Sequence, residues 1–436
     1  MELRTSFKER LSYGGFFVGQ NIIYILVLQY LMLYYTDEVG LSTAAVGALF
    51  LGARIWDAVN DPIMGLVVDK SKFKSGKFKP WINFASVALP LATILVFTSV
   101  GGSGQSKFIY ASITYIIWGM IYTISDVPIF ALATVMTENI DERVKIMSLG
   151  RLAAGIASIV ASVAVMPVVI SMGWFQAALL LSVISFIVMI PIKFLAVERL
   201  TKEEKNNSSL KDIFKTIVRN KYLLIFYIAF FFSSILMTGT VATSYFAIYN
   251  LGNKGLISIL SLATYLPSIA LPIILPSIIK RFGKRKILLF GTGGYVIGML
   301  AYHFIGYSNL GIVLLFTAIN GFFLQVPRMM AGMITADCIE YGEYTTGERS
   351  DGVAFSLQTF TNKLSGAFSA AIGSFILTFV GYVPNVEQGE SALNGIWNMV
   401  SLIPAIGYAI MFIIILLFYN LSDKKVQEMA LENQRK

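Results

Sequence analysis

Of the 436 residues, 56% are hydrophobic and only 14% charged, where an ordinary soluble domain carries roughly 25% charged residues. The 34 lysines and arginines outnumber the 25 acids, for a formal charge of +9, a balance that in a soluble chain would point to nucleic acid. Here the excess sits in a few loops between long apolar runs, which excludes that reading and points to the bilayer.

A membrane-spanning helix needs about 20 predominantly apolar residues. Twelve such runs are legible, near 12–35, 42–68, 80–101, 108–136, 148–171, 174–196, 222–249, 256–279, 287–306, 309–335, 353–382 and 393–419. They occupy more than half the chain and leave no room for a separate soluble domain. The expected fold class is therefore all-α integral membrane, with twelve transmembrane helices. The opening MELRTSFKER runs into the first span without a small-residue cleavage site, the pattern of a retained helix rather than a signal peptide.

The second run interrupts its own apolarity. RIWDAVNDPIMGLVVDK (54–70) holds Arg54, Asp57 and Asp61 in its interior. A charged residue at a helix centre costs about 2.5–3.5 kcal/mol on insertion scales, so Asp57, Asp61 and the later Asp126 together cost roughly 8–10 kcal/mol. Such residues normally face a bundle interior, pair with one another or mark an ion pathway. At 100° per residue Arg54, Asp57 and Asp61 share one helix face, with Asn60 toward its edge. Two carboxylates and an amide oxygen on one stripe make a set of hard oxygen ligands, suited to a small hard cation. Neutralisation by Arg54 and a second base is the alternative, but two acids and one arginine leave a net negative charge.

The fourth span reads TISDVPIF, placing Asp126 beside Tyr122 and Thr123, and Arg151 opens the fifth after MSLG. Arg328 lies in the tenth span and Lys363, in FTNKLSGAF, in the eleventh. Asp126, Arg151, Arg328 and Lys363 come from four spans and are expected to line a polar cavity for a hydroxylated or charged solute; structural salt bridges are the alternative. The acids Asp337, Glu340 and Glu343 of ADCIEYGEYTTGERSDG (336–352) are expected to act as gate salt bridges to basic loops of the other half, or to sit on a solvated loop. His303, the single histidine, falls near a span end as an interfacial polar residue. Cys338, the single cysteine, has no partner for a disulfide.

The basic residues sort by loop. DKSKFKSGKFKP (69–80) and KRFGKRK (280–286) are rich in lysine and arginine, whereas the alternate loops TDEVGLS, GGSGQSK, SMGWFQ, NLGNKG, GYSNL and PNVEQGES contain only Lys107 and Lys254. This is the positive-inside asymmetry, so both termini and the basic loops are expected in the cytoplasm. The polar stretch 197–221 divides the spans six and six, giving 1–196 as one half, 197–221 as a cytoplasmic central loop, and 222–436 as a second half with a cytoplasmic tail. FKSGKFK is echoed by RFGKRK, and DVPIFALATVMT (126–137) by QVPRMMAGMIT (325–335). Two parallel six-helix halves with a site near the midplane between them describe an alternating-access transporter. There is no GxxxxGK[ST] loop, and GTGGYVIG (291–298) lies inside an apolar span with no preceding strand, so neither ATP-driven pumping nor a nucleotide site is expected.

WDAVNDPIMG, GKFKPW, LSYG, YYTDEVGLS and DCIEYGEYTTGERSDGVAFSLQTFTNKLSGAF, in span order over nearly the whole chain, resemble the glycoside–pentoside–hexuronide:cation symporter family of the major facilitator superfamily. The resemblance implies the fold of that superfamily. It also implies a cation site at Asp57, Asn60 and Asp61 on helix two with Thr123 on helix four, and coupling to Na⁺ with Li⁺ or H⁺ as alternatives. Tyr122, Asp126, Arg151 and Lys363 match positions that line or support the solute cavity. Four positions depart from the family's galactoside pattern: Gln20–Asn21 replaces a Lys–Asp pair on helix one, Phe130 a tryptophan on helix four, and Arg328 a tryptophan on helix ten. An amide for an acid and an added arginine make the cavity less negative, and arginine suits bidentate carboxylate or sulfonate recognition. The solute is thus expected to be a sugar or glycoside, with an anionic one such as a hexuronide in view; an Arg328–Asp126 pair would remove that inference.

The expected function is secondary active symport of cation and sugar in a cell (inner) membrane by a functional monomer that is not an enzyme. It needs no cofactor beyond the coupling ion and binds the bilayer but no nucleic acid. A cation-coupled carrier of lysolipids or other amphipaths and a proton-coupled exporter are the alternatives.

Overall fold

The computed structural model describes residues 5–71, 73, 76–137, 139–199, 218–347 and 351–433. The side chains of Asp61, Asp69 and Lys70, residues Lys72 and Lys74 of the first basic loop, residues 200–217 of the central loop and 348–350 lie outside that description.

Helices follow the apolar runs in order: α1 Phe7–Leu33, α2 Thr43–Lys70, α3 Lys79–Val96, α4 Gly104–Met136, α5 Ile140–Met172 and α6 Trp174–Met189, the last trailed by a short helix Pro191–Leu195. Beyond the central loop come Lys221–Ile235 with Gly239–Tyr245, Leu256–Tyr265 with Leu271–Phe282, then Lys284–Ile305, Leu310–Thr346, Asp351–Phe379, Glu390–Val400 with Leu402–Phe418, and a polar tail helix Asp423–Asn433. Short polar side chains start many of them. Ser6 and Glu9 form a reciprocal capping box on α1, and Ser42, Ser103, Asn139, Asn220 and Asn309 each accept a free N–H from the first turn of the next helix.

Two expected spans prove longer than their apolar runs. Helix α5 begins at Ile140 rather than near 148, because Asn139 caps a charged first turn, and Leu310–Thr346 carries its winding well past the apolar run. The run 256–279 is broken by a 3₁₀ turn at Leu266–Ala270, where Pro267 and Pro272 remove backbone donors. Nine helices among the described residues are long and apolar enough to cross a membrane. The other three expected spans carry what lowers apolarity: Arg54 and Asp57 in α2, the proline break in Leu256–Phe282, and Lys363 in Asp351–Phe379.

The chain divides into two compact units, Met1–Glu204 with Val383–Val386, and Lys205–Tyr382 with Glu387–Lys436. Each repeats one packing scheme. In the first, α1 packs on α5 and α6, α3 on α4 and α6, and α2 on α4. In the second, Lys221–Ile235 packs on Asp351–Phe379 and Leu402–Phe418, Lys284–Ile305 on Leu310–Thr346 and Leu402–Phe418, and Leu256–Tyr265 on Leu310–Thr346. Pro128 of α4 and Pro327 of Leu310–Thr346, the prolines of the two echoing VP pairs, both lie inside continuous helices.

The glycines of GTGGYVIG serve this packing. A methyl on Gly291 would sit 2.6 Å from Val326 Cγ1, and methyls on Gly294 and Gly298 would meet Phe323 and the Asn320 amide more closely still. Spaced i, i+3, i+7, they form one face on which Leu310–Thr346 lies flush. Asn320 is 1% exposed and neither end of its amide has a hydrogen-bond partner among the described residues.

At the base of the first unit Glu142, ahead of the apolar part of α5, accepts the Thr5 N–H at 2.8 Å, the Thr5 hydroxyl at 2.5 Å and the Thr137 hydroxyl at 2.8 Å. Burial pushes its carboxyl up, but these hydrogen bonds and the nearby Arg10 outweigh it and hold the group below the usual carboxylate range.

Candidate functional site

The site in the first unit is assembled where α2 crosses α4. Arg54 donates from Nη1 to Asp57 Oδ2 at 3.3 Å and lies within electrostatic reach of Tyr115 of α4. The other Asp57 oxygen lies against Gly119: a methyl there would stand 3.2 Å from Oδ1. One turn on, Thr123 is 3% exposed and donates its hydroxyl to the Gly119 carbonyl at 3.2 Å. A carboxylate, a hydroxyl and a main-chain carbonyl therefore converge on the one α4 turn that has no side chain to keep α2 away.

Asn60, three residues beyond Asp57, is 4% exposed, and its Nδ2 has no hydrogen-bond partner among the described residues. An amide buried without a partner costs free energy. A half-turn of the group presents Oδ1 at the same place, and an oxygen there is satisfied by a cation as well as by a donor. Carboxylate, amide, hydroxyl and carbonyl oxygens are the donor types hard cations select, and they fit a small one. The Asp61 side chain lies outside the described residues.

Beside this cluster runs an aromatic ladder. Tyr115 stacks on Trp118 at 6.3 Å and 8°, Trp118 on Tyr122 at 5.3 Å and 18°, and Tyr122 on Tyr24 of α1 at 5.1 Å and 26°. Trp118 Nε1 donates to Thr93 Oγ1 at 3.0 Å, which fixes the ring. Of these four only Tyr122 stood out in the sequence. Trp118, Tyr115, Tyr24 and Gly119 were not singled out, although Gly119 lies four residues before Thr123 and hence on its face.

The adjacent amides of α1 diverge. Gln20, 1% exposed, donates Nε2 to Ser125 Oγ at 2.8 Å and to Asp126 Oδ1 at 3.4 Å on α4. Asn21 donates to Phe17 O at 2.9 Å and accepts from Ser158 of α5 at 3.2 Å. Phe130 meets Phe17 edge-on at 5.3 Å. Arg151 is exposed on α5, within electrostatic reach of Tyr13.

The expected basic residues Arg328 and Lys363 belong to the second unit. Arg328 lies within electrostatic reach of Tyr408 and of Tyr295, whose ring packs on that of Tyr408 at 4.3 Å. Lys363 is half-buried midway along Asp351–Phe379. Asp337, expected to meet basic loops of the other half, has Lys284 Nζ of its own unit at 2.5 Å. Glu340 accepts from Asn433 of the tail helix at 3.3 Å, and Glu343 is half-buried one turn before Gly347. His303 Nδ1 bonds Ser401 Oγ at 3.0 Å, bracing the break between Glu390–Val400 and Leu402–Phe418.

A family model described as MFS/sugar transport protein matches residues 12–423. The chain belongs to that family. It is 32% identical to an uncharacterized symporter, YjmB, of Bacillus subtilis over 97% of this chain and 94% of that one. It is 29% identical to an isoprimeverose transporter of Lactiplantibacillus pentosus (98% and 94%) and to a glucuronide carrier protein homolog of Escherichia coli (99% and 96%). In fold it resembles the crystal structure of the nucleoside transporter NupG, with a TM-score of 0.62 at 14% identity, over 95% of this chain and 99% of that one. A member of this family is a multi-pass membrane transporter and not an enzyme, and the buried oxygen cluster is read accordingly, as a place that binds rather than one that reacts.

Proposed function

We propose that the protein is a secondary active symporter that couples downhill entry of Na⁺ to uptake of a sugar or glycoside by alternating access, with Li⁺ and H⁺ as the alternative coupling ions. The observation that carries the reading is the α2–α4 oxygen cluster: Asp57, held by Arg54, lies on the Gly119 turn beside Thr123, with buried Asn60 three residues on, whose Nδ2 has no hydrogen-bond partner among the described residues. Family membership and relatives named for isoprimeverose and glucuronide support the sugar class. Asp57, Asn60, Asp61 and Thr123 hold the cation; Gln20, Asn21, Tyr122, Asp126, Phe130, Arg151, Arg328 and Lys363 serve the solute.

The cation neutralises the acids of α2. The same α4 carries both Thr123 and, one turn further, Asp126 with its Gln20 partner, so filling the cation site orders the helix that presents the solute contacts. Coupling of this kind is reciprocal: sodium raises affinity for sugar and sugar raises affinity for sodium. Arg328, within electrostatic reach of Tyr408, supports an anionic solute such as a hexuronide, because arginine matches a carboxylate in a two-point geometry. The lysine- and arginine-rich loops 69–80 and 280–286 support both termini and the central loop lying in the cytoplasm, and the protomer acts alone in this reading.

A panel of sugars tested for binding to reconstituted protein with and without Na⁺ checks the proposal. Binding that strengthens with sodium and vanishes in Asp57→Cys is expected. Indifference to sodium across the panel would replace it with a proton-coupled mechanism.

A further inference from the structure

The two units share more than helix packing. Where each carries its basic loop, the same device recurs. In the first unit the chain leaving Pro191–Leu195 brings in Glu198, whose carboxylate accepts three consecutive backbone N–H groups: Lys77 at 2.7 Å, Phe78 at 2.8 Å and Lys79 at 2.5 Å. These amides open α3, where a helix has N–H groups without acceptors of its own and a positive dipole end. The chain reaches them through Gly76 at φ +115°, and a methyl there would stand 2.7 Å from the Glu198 carboxyl group.

In the second unit the chain leaving Leu402–Phe418 brings in Asp423. Its carboxylate accepts the Lys284 N–H at 2.9 Å, in the first turn of Lys284–Ile305, the helix that corresponds to α3. The chain again arrives through a glycine in the left-handed region, Gly283 at φ +83°, where a methyl would stand 2.8 Å from Asp423 Oδ2. Both glycines are required twice over, by a backbone conformation that side chains strain and by the approach of the acid. Each device is anchored further within its own unit. Arg199, next to Glu198, bonds Glu9 of α1 at 2.7 Å and the Met136 carbonyl of α4 at 3.2 Å. Asp423 also approaches Lys284 Nζ at 3.8 Å, which pairs with Asp337, and the tail helix it begins buries Val426 in the cluster that contains Cys338.

We propose that Glu198 and Asp423 are matched positioning residues, each clasping the chain that leaves its unit's last membrane helix to the first turn of that unit's third, so that this end of each unit moves as one piece. The echo of FKSGKFK in RFGKRK marks the glycine half of the device, and the carboxylate half arrives from over a hundred residues away. The clasp stands apart from the choice of cation or sugar; only its effect on turnover rests on the transport reading.

Purified protein supplies the test, because Cys338 is the only cysteine and is buried under the second clasp. Amide hydrogen exchange at Lys77–Lys79 is expected to rise at least about tenfold in Glu198→Ala, with exchange at Lys284 and alkylation of Cys338 by N-ethylmaleimide within about twofold of wild type. Asp423→Ala is expected to do the reverse, raising Lys284 exchange and Cys338 alkylation at least about tenfold and leaving Lys77–Lys79 alone. Glu198→Gln and Asp423→Asn keep the shape and lose the charge, and smaller rises confined to the same unit are expected; they carry the test if the alanine variants aggregate. Unchanged exchange at these amides, or equal loosening of both units by either variant, would overturn the proposal. None of this requires sodium or sugar, so it fails or stands separately from the proposed transport. Once a solute is in hand, the variants are expected to lower maximal uptake with the half-saturating sodium concentration unchanged; uptake at the wild-type rate would show the clasps to be static and overturn their part in the motion.

Discussion

The two units are built alike but place different charges in their apolar spans. Both pack their first helix on their fifth and sixth and their third on their fourth and sixth, and both carry a proline inside the fourth helix. Yet the first places Asp57, paired with Arg54, and Asp126 in its apolar spans together with Arg151, whereas the second places only the bases Arg328 and Lys363 within its expected apolar runs. Packing thus repeats where it bears the fold, and the chemistry diverges where it bears a ligand. Two glycines make the same point. Gly298 lets one helix lie against the Asn320 amide of another, and Gly119 lets a carboxylate reach a helix turn.

Substitutions that separate these roles sharpen the contrast. Asp57→Asn removes the proposed charged ligand and is expected to have the largest effect, a loss of sodium-stimulated uptake of at least about a hundredfold, or roughly 3 kcal/mol. Gly298→Ala drives a methyl into Asn320 and is expected to cost about 1–3 kcal/mol of stability, seen as a lower melting temperature in detergent with sodium affinity unchanged. Gly119→Ala pushes on Asp57 instead. It is expected to leave the melting temperature near wild type and to raise the half-saturating sodium concentration about tenfold, about 1.4 kcal/mol. Equal effects of the two glycine variants on both readouts would erase the distinction.

Arg328→Ala tests the second unit. Uptake of a glucuronide is expected to fall about five- to tenfold relative to its neutral glucoside, with sodium dependence intact; equal loss of both solutes would refute an anion role. Glu142→Gln is expected to have the smallest effect, and one that depends on pH. The Glu142 carboxyl titrates below its ordinary range when folded, so its contribution is present above that range and is lost as pH falls through the depressed value. The variant should melt below wild type at neutral pH, and the gap should close in acid.

Much of this was legible in the amino-acid order. The apolar runs locate the helices because a bilayer leaves the backbone no alternative to satisfying itself. Asp57 and Asn60 stand out because charge and amide in apolar runs are costly, whereas Thr123 joins them only through the family resemblance. What pattern reading missed is what depends on another helix. Gly119 matters only because Asp57 approaches it, and Trp118 reads as core until Tyr115 and Tyr122 are found on its two faces. Asp337 looked like a gate residue from its place in an acidic run, but Lys284, brought close by the Lys284–Ile305 helix, is its partner. Glu198 looked like part of a charged linker until its three amides were in view.

The central claim is that the first unit alone supplies the cation site, and direct titration of purified protein with sodium in a calorimeter, without sugar, tests it most closely. Saturable binding is predicted for wild type and for Arg328→Ala, and its disappearance for Asp57→Asn. Sodium heats that persist in Asp57→Asn, or that vanish in Arg328→Ala alone, would contradict the account.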